Sequence, residues 1–410
     1  MASGASTVHG LRRRNRARVL WDLYLNGPGS RQRIGSAAGV SPGTVSNVLG
    51  GLMEEGLVLE SGLVPSAGGR PSSIVQVNPA YGYVIGVDVG ESSVLVELFD
   101  LAMGVCATNR SLTELTQLSP ADVVTQVAGG VHAVLADAQV AESDVLGVGI
   151  GVPGLVEHSP LAVVHGQSVG WDAVPLEALL REQIALPLAV GNGAKLLGQA
   201  EHWFGAARGE ADVVIVLIGQ GVGASIITGG SADLGPMSSA GEWGHTAVSI
   251  DGRICRCGAR GCLEAYVGAG AILQRYEELH GMPARTGDLE RRTDELLARV
   301  DIDPEVAEVV DESVRYLGAG IANLVNVFSP RRVVLGGWLG RQLAELRMPE
   351  IHAAAERNAL RTPFRDVTLL RAELGADAVA LGAATLPVSR FLSSGGDREA
   401  VLGATATSTA

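Results

Sequence analysis

Long apolar runs are missing from this chain. A membrane-spanning helix needs roughly 18 consecutive apolar residues, and no stretch reaches that length, so a soluble, cytoplasmic protein with no membrane contact is expected. Cysteine is scarce too, with four in 410 residues. No secretory signal is read at the N-terminus, so the compartment should be reducing and a disulfide framework is disfavoured. Lysine is nearly absent: Lys195 is the only one, and arginine carries the rest of the positive charge.

What charge there is lies unevenly. The net charge is -13. Residues 1–78 nevertheless hold eight arginines against four acids, a surplus of positive charge, and the remaining residues carry the whole acidic excess. A basic head on an acidic body is the asymmetry expected when only the head meets nucleic acid. With 47% hydrophobic content the chain is an ordinary globular one, long enough for two or three domains.

Three of the four cysteines fall in one short stretch. Gly241-Glu242-Trp243-Gly244-His245 is followed, after nine residues, by Cys255-Arg256-Cys257-Gly258 and then by Gly261-Cys262-Leu263-Glu264. Glycines at 252, 258 and 261 allow a backbone tight enough for the sulfurs of Cys255, Cys257 and Cys262 to converge, with His245 as a fourth donor. Three thiolates and an imidazole suit a closed tetrahedral zinc site of structural type. The plainer alternative is a set of buried, unliganded thiols. Cys106, in an apolar segment, is read as a core residue.

The head carries local helix signals. Arg16–Asn26 has apolar residues at helical spacing, and Gly27-Pro28-Gly29 stops it. Ser30 caps a short helix over 32–38, with Gly39 as its C-terminal stop. Ser41-Pro42 is an N-cap and first-turn proline opening a third helix to about Glu55. Two strands, 57–60 and 73–77, flank a loop with Gly68-Gly69-Arg70-Pro71. This pattern predicts a winged helix-turn-helix over residues 1–78, whose third helix enters the major groove. Ser41, Thr44, Ser46 and Asn47 are its candidate DNA contacts. Arg70 in the wing and the arm around Arg16 would supply phosphate contacts and salt-dependent affinity. Such a head reads half-sites as a dimer, so a palindromic operator is expected; a docking module with no DNA role is the alternative.

From residue 79 to 392 strands and helices alternate. Tyr83–Val89 leads into Asp88-Val89-Gly90-Glu91. Leu146–Gly151 leads into Val152-Pro153-Gly154, and 212–218 into Gly219-Gln220-Gly221-Val222-Gly223. Glycine loops after strands, in two halves, describe an α/β fold gripping a ligand between lobes. The tail, 393–410, is rich in Gly, Ser, Ala and Thr and reads as disordered.

Taken together, the winged head, the glycine loops at 88–90 and 219–223, Glu242-Trp243-Gly244-His245 and the cysteine block resemble the ROK family of repressors, open reading frames and sugar kinases. The resemblance runs from about Arg13 to Phe391. It implies a two-lobed, actin-like ATPase fold behind the head. It also implies that His245, Cys255, Cys257 and Cys262 hold zinc, and that Glu242, Glu264 and Asn192 bind sugar hydroxyls, with His245 shaping that pocket. In the family's kinases the asparagine is followed by an aspartate that takes the proton of the attacking hydroxyl; here it is followed by Gly193. Glu91 stands where the kinases have glycine in the first phosphate loop, and Gln220 replaces a threonine in the second.

These departures predict a sugar-responsive transcriptional regulator, a repressor with no catalytic residues, acting as a homodimer or homotetramer on operator DNA. Two alternatives differ in class: an ATP-dependent sugar kinase with an appended head, and a regulator controlled by a protein partner. Lys195, two residues beyond Gly193, is read as a solvated helix residue, with a role in the pocket as the alternative.

Overall fold

The computed structural model describes residues 8–64, 72–112, 119–158, 160–235, 238–283 and 288–403. Local chemistry accounts for the head. Helices α1 (Val8–Asn26), α2 (Arg31–Ala38) and α3 (Pro42–Glu54) form its helix-turn-helix. Ser30 Oγ accepts from the Arg33 amide, and Gly39 ends α2 with a left-handed φ of 64°, a conformation only glycine adopts at little cost. Ser41 caps α3 through the Thr44 amide. Strands β1 (Gly29–Ser30), β2 (Val58–Val64) and β3 (Ser72–Val77) make a small antiparallel sheet in the order β1-β3-β2. The Gly27-Pro28-Gly29 stop therefore also supplies a strand. Residues 65–71, including Arg70, lie outside the described residues.

The first lobe is a five-stranded sheet. It comprises β4 (Tyr83–Val89), β5 (Ser93–Asp100), β6 (Val105–Leu112), β7 (Val145–Val152) and β11 (Leu188–Asn192), in the order β11-β7-β4-β5-β6. Helices α4 (Pro120–Ala138) and α5 (Leu176–Arg181) cover it, and a side sheet of β8 (Leu155–His158), β9 (Ala162–Gly166) and β10 (Trp171–Val174) leans on α5. Strand β7 is buried at every residue, as a central strand with both faces covered must be.

Helix α6 (Gly193–Phe204) leads into the second lobe. Its sheet has the order β14-β13-β12-β15-β16, from β12 (Val213–Ile218), β13 (Val222–Thr228), β14 (Ser231–Asp233), β15 (Arg332–Gly336) and β16 (Thr368–Arg371). Helices α7 (Glu264–Val267), α8 (Ala269–Leu279), α9 (Leu289–Leu297), α10 (Pro304–Phe328), α11 (Trp338–Asn358) and α12 (Arg361–Arg365) pack around it. Helix α13 (Ala378–Ser393) then returns to the first lobe, and α14 (Arg398–Gly403) follows. The return is a backbone-to-backbone fit: a Cβ on Gly149 of β7 would sit 1.8 Å from the Ala383 carbonyl of α13.

The head shares its core with the body. Leu20, Leu49, Leu52 and Leu57 belong to one buried cluster with Val84, Phe99, Leu146, Val388 and Phe391. Beside it, Trp21 and Tyr24 of α1 meet Trp203 at the end of α6 edge-on, with ring centroids 5.2 and 5.9 Å apart. Arg208 donates to the Leu25 carbonyl at the end of α1.

Three expectations are corrected here. The tail is ordered as far as residue 403: Arg16 Nε donates to the Gly395 carbonyl at 2.8 Å, and Arg398 reaches the carbonyls of Tyr81 and Ser143. Its polar composition hides these docking contacts; residues 404–410 lie outside the described residues. Cys106 is exposed, because β6 is the edge strand of its sheet and turns alternate residues outward. Lys195 is buried rather than solvated, being 8% exposed. Among the described residues, no helix is long and apolar enough to cross a membrane.

Candidate functional site

The two lobes face each other across a cavity of about 470 Å³. Strand ends supply most of its wall: the turns after β4, β7 and β12 bring Gly90, Gly154 and Gly221 to its edge, and Asn192 ends β11. Binding between the carboxyl ends of strands is the general rule for α/β sheets.

Glu242, His245 and Glu264 all line this cavity. Glu264 is fixed from behind, because its Oε2 accepts from the Val222 amide at 3.0 Å. Burial pushes the Glu242 carboxyl above its usual range, opposed by His245 and Lys195. Asn192 also lines the cavity, with both ends of its amide engaged. Its Oδ1 caps α6 through the Lys195 amide at 3.2 Å, and its Nδ2 donates to the Gly154 carbonyl at 2.8 Å. Capping thus ties three segments together at the cavity edge. Gly193, beside it, leaves open space: a Cβ there would come no closer than 3.6 Å to any neighbour.

Lys195 lies just behind this wall. Its Nζ is buried with no hydrogen-bond partner among the described residues, and burial lowers its affinity for the proton while Glu242 and Asp233 oppose that. The sequence favours a solvated Lys195 over a role in the pocket, because nothing local distinguishes a buried lysine in the first turn of a helix from a solvated one.

The four sulfur and nitrogen donors converge as the spacing predicts. One ligand atom each from His245, Cys255, Cys257 and Cys262 lies within 4.8 Å of the others, a set that could hold a metal ion. His245 Nδ1 is 3.8 Å from Cys255 Sγ, and the sulfurs of Cys257 and Cys262 are 3.8 Å apart. Burial raises the Cys255 and Cys262 thiols; a bound cation offsets such a penalty by stabilising thiolate. The donor set fits zinc, which takes nitrogen and sulfur tetrahedrally.

Between the glycine loops, Arg256 makes contacts that no local pattern announces. Its two amino groups hold the Glu91 carboxylate, 165 residues away in sequence. Asp88, at the start of the same loop, is pushed up by burial to about 7.

On the head, Ser46 and Asn47 are exposed on α3. Ser41 and Thr44 spend part of their hydrogen-bonding capacity on each other, their hydroxyls 2.9 Å apart. Arg16 departs from its expected place on a DNA-facing arm. Glu55 holds its guanidinium through both oxygens at 2.7 and 2.5 Å, since the end of α3 passes directly beside α1. Arg12, Arg13 and Arg18 remain exposed on α1.

Comparison with known proteins meets this geometry at the body. The profile of the ROK family matches residues 84–389. The chain belongs to the ROK family. The xylose repressor of Caldicellulosiruptor bescii is 28% identical over 390 residues, covering 93% of this chain and 97% of the relative. The DNA-binding transcriptional dual regulator NagC of Escherichia coli is 29% identical and covers 87% of each chain. The glucokinase of Halalkalibacterium halodurans is 30% identical but covers 73% of this chain, against 93% of its own length. Among solved structures, a ROK family transcriptional regulator described as a homolog of the E. coli MLC protein superposes with a TM-score of 0.77. It covers 96% of this chain and 99% of its own at 24% identity, a likeness of fold. A ROK glucokinase from Streptomyces griseus, solved with glucose and AMPPNP, gives a TM-score of 0.63 at 28% identity, covering 74% of this chain and 99% of its own. The two repressor-type relatives named here cover 93% and 87% of this chain, the glucokinases 73% and 74%.

Proposed function

We propose that this ROK protein is a sugar-responsive transcriptional repressor whose body senses its effector without phosphorylating it. The observation carrying the reading is Gly193, which leaves the kinase base position without a proton acceptor beside a cavity that keeps Asn192, Glu242, His245 and Glu264. General-base help is typically worth about 10²–10⁴ in rate. Carboxylates and an amide remain the right groups to hold a polyhydroxylated ring, since each carboxylate accepts several hydroxyl protons.

In this reading Ser46 and Asn47 meet base edges from α3, while Ser41 and Thr44 sit at its cap near the phosphates. Arg70 of the wing and the exposed arginines of α1 add salt-dependent affinity. Arg16 is left out, being held by Glu55. Zinc, bound by His245, Cys255, Cys257 and Cys262, would fix the segments bearing Glu242 and Glu264; its chemistry there is structural. The chain would act as a homodimer or homotetramer on a palindromic operator. A sugar that favours one lobe arrangement need contribute only about 1–3 kcal/mol of coupling to change DNA affinity.

The test is a thermal-shift screen of the full chain against sugars without ATP, beginning with xylose and N-acetylglucosamine, which relatives' names carry. A ligand at 100 times its dissociation constant adds about 2.7 kcal/mol. A responsive sugar should then change the affinity for duplexes selected from a random library. If no sugar moves the midpoint, the sensor reading fails and control by a protein partner replaces it. Sugar-dependent ADP release would instead restore the kinase.

A further inference from the structure

Arg256 gathers parts of both lobes. Its Nη1 donates to Glu91 Oε2 at 2.5 Å and its Nη2 to Oε1 at 3.3 Å. The same Nη2 reaches the Gln220 carbonyl at 3.1 Å and Glu264 Oε1 at 3.3 Å. Glu91 comes from the loop between β4 and β5 of the first lobe, whereas Gln220 and Glu264 belong to the second. Glu91 is sheltered, its side chain 10% exposed, while a third of the Arg256 side chain faces solvent. Glu91 Oε1 also packs 3.2 Å from where a Cβ on Gly221 would stand, so its carboxylate lies directly between the two glycine loops.

We propose that Glu91 and Arg256 form a latch across the cleft, in which the Glu91 carboxylate serves as a built-in anion between loops that in a kinase would close on a nucleotide's phosphates. A two-pronged, charge-assisted contact of this kind is among the stronger hydrogen-bonded arrangements and fixes orientation as well as distance. Its third partner, Glu264, ties lobe closure to the cavity wall. Glu91 is therefore a positioning residue: it acts on Glu264 through Arg256. The latch itself stands on the contacts alone; only its effect on ligand binding rests on the sugar-sensor reading.

The experiment is amide hydrogen exchange, read by mass spectrometry on the full-length, ligand-free protein, for Glu91→Gly and Glu91→Gln. Glu91→Gly should speed exchange about tenfold, within the usual span of coupling between sites, in peptides covering 219–223 and 255–264. Those peptides lie on the lobe that does not carry the substitution. Added sodium acetate should restore protection by supplying the missing carboxylate, and Glu91→Gln, which keeps the shape and one acceptor, should fall between. Faster exchange confined to peptides around 88–94, or none at all, would overturn the latch. Glu91→Gln keeps the test informative if Glu91→Gly folds poorly, since unchanged exchange across the cleft in the near-isosteric variant also overturns it. Calorimetry with xylose and N-acetylglucosamine then separates the two claims. Loss of cross-cleft protection, with none of the screened sugars binding even to the unsubstituted chain, would keep the latch and sink the sensor.

Discussion

Replacing Gly193 by aspartate puts back the group that a ROK kinase uses, and the structure says what this should and should not do. The site has room: the nearest atoms to a new Cβ are the Val152 carbonyl oxygen at 3.6 Å and Val379 Cγ1 at 3.7 Å, ordinary contact distances. Gly193 is the first residue of α6, capped by Asn192. A carboxylate in a first helical turn gains about 0.3–1 kcal/mol from the helix dipole, and removing a helical glycine adds a few tenths more. Asp88 and Glu242, which line the same cavity, offset part of this. The net change in stability should therefore lie between about 0 and 1 kcal/mol in favour of the variant, read by urea denaturation. A carboxylate hydrogen-bonded to a sugar hydroxyl is worth about 1.5–3 kcal/mol, so affinity for a sugar that binds the unsubstituted chain should rise at least tenfold by calorimetry. Phosphotransfer should stay absent from Gly193→Asp in a coupled ADP assay with glucose, because Glu91 and Arg256 still stand between the loops. It should need Glu91→Gly and Gln220→Thr as well. Sugar-dependent ADP release from the single variant would refute the argument that three parts of the kinase were lost.

Other predictions follow from single features. Cys257→Ser should lower bound zinc well below the one equivalent per chain expected by elemental analysis, and should abolish sugar-induced stabilisation while DNA affinity persists. Stability should fall as pH rises from about 4 to 7 and level off above. Asp88 keeps its proton to about 7 when folded but sheds it near 4 when unfolded, so the folded state binds more protons across that window. Glu97, raised by burial to about 6, acts in the same direction. Asp88→Asn should remove the larger part of that slope, which is at most about 1.4 kcal/mol per pH unit for one group; equal unfolding free energies of the unsubstituted chain in urea titrations at pH 5 and 8 would contradict it. Phe391→Ala should cost about 3–5 kcal/mol, because the ring is fully buried between head and body. It should lower the unfolding midpoint of both together, whereas a separate head transition would show that the cluster does not couple them.

How much of this was legible in the sequence depended on distance along the chain. Ser30, Gly39 and Ser41-Pro42 act on their own neighbours within a few residues, and the structure finds each at its helix end. The metal donors converge because 18 residues of glycine-rich chain leave them few alternatives. Lys195 was misjudged because its burial depends on what packs over α6, not on the helix itself. The tail was misjudged because its partners, Arg16, Tyr81 and Ser143, lie hundreds of residues upstream. Glu91 was legible as a departure from the kinase pattern. Its partner Arg256 was not, since the two meet only once both lobes have folded.

The cluster joining Leu20 and Leu57 to Val388 and Phe391 has a consequence for engineering. Helices α1 and α3 of the head and α13 of the body meet in one apolar knot, so a graft cut at residue 78 would leave part of that knot on each piece. Swapping DNA specificity between ROK regulators by exchanging heads therefore requires rebuilding the head-facing side chains of α13 and of the first lobe's sheet, since α13 is itself built into that lobe and cannot travel with the head. Heads exchanged without that correction should emerge as sticky, partly folded chimeras whatever their recognition helix reads.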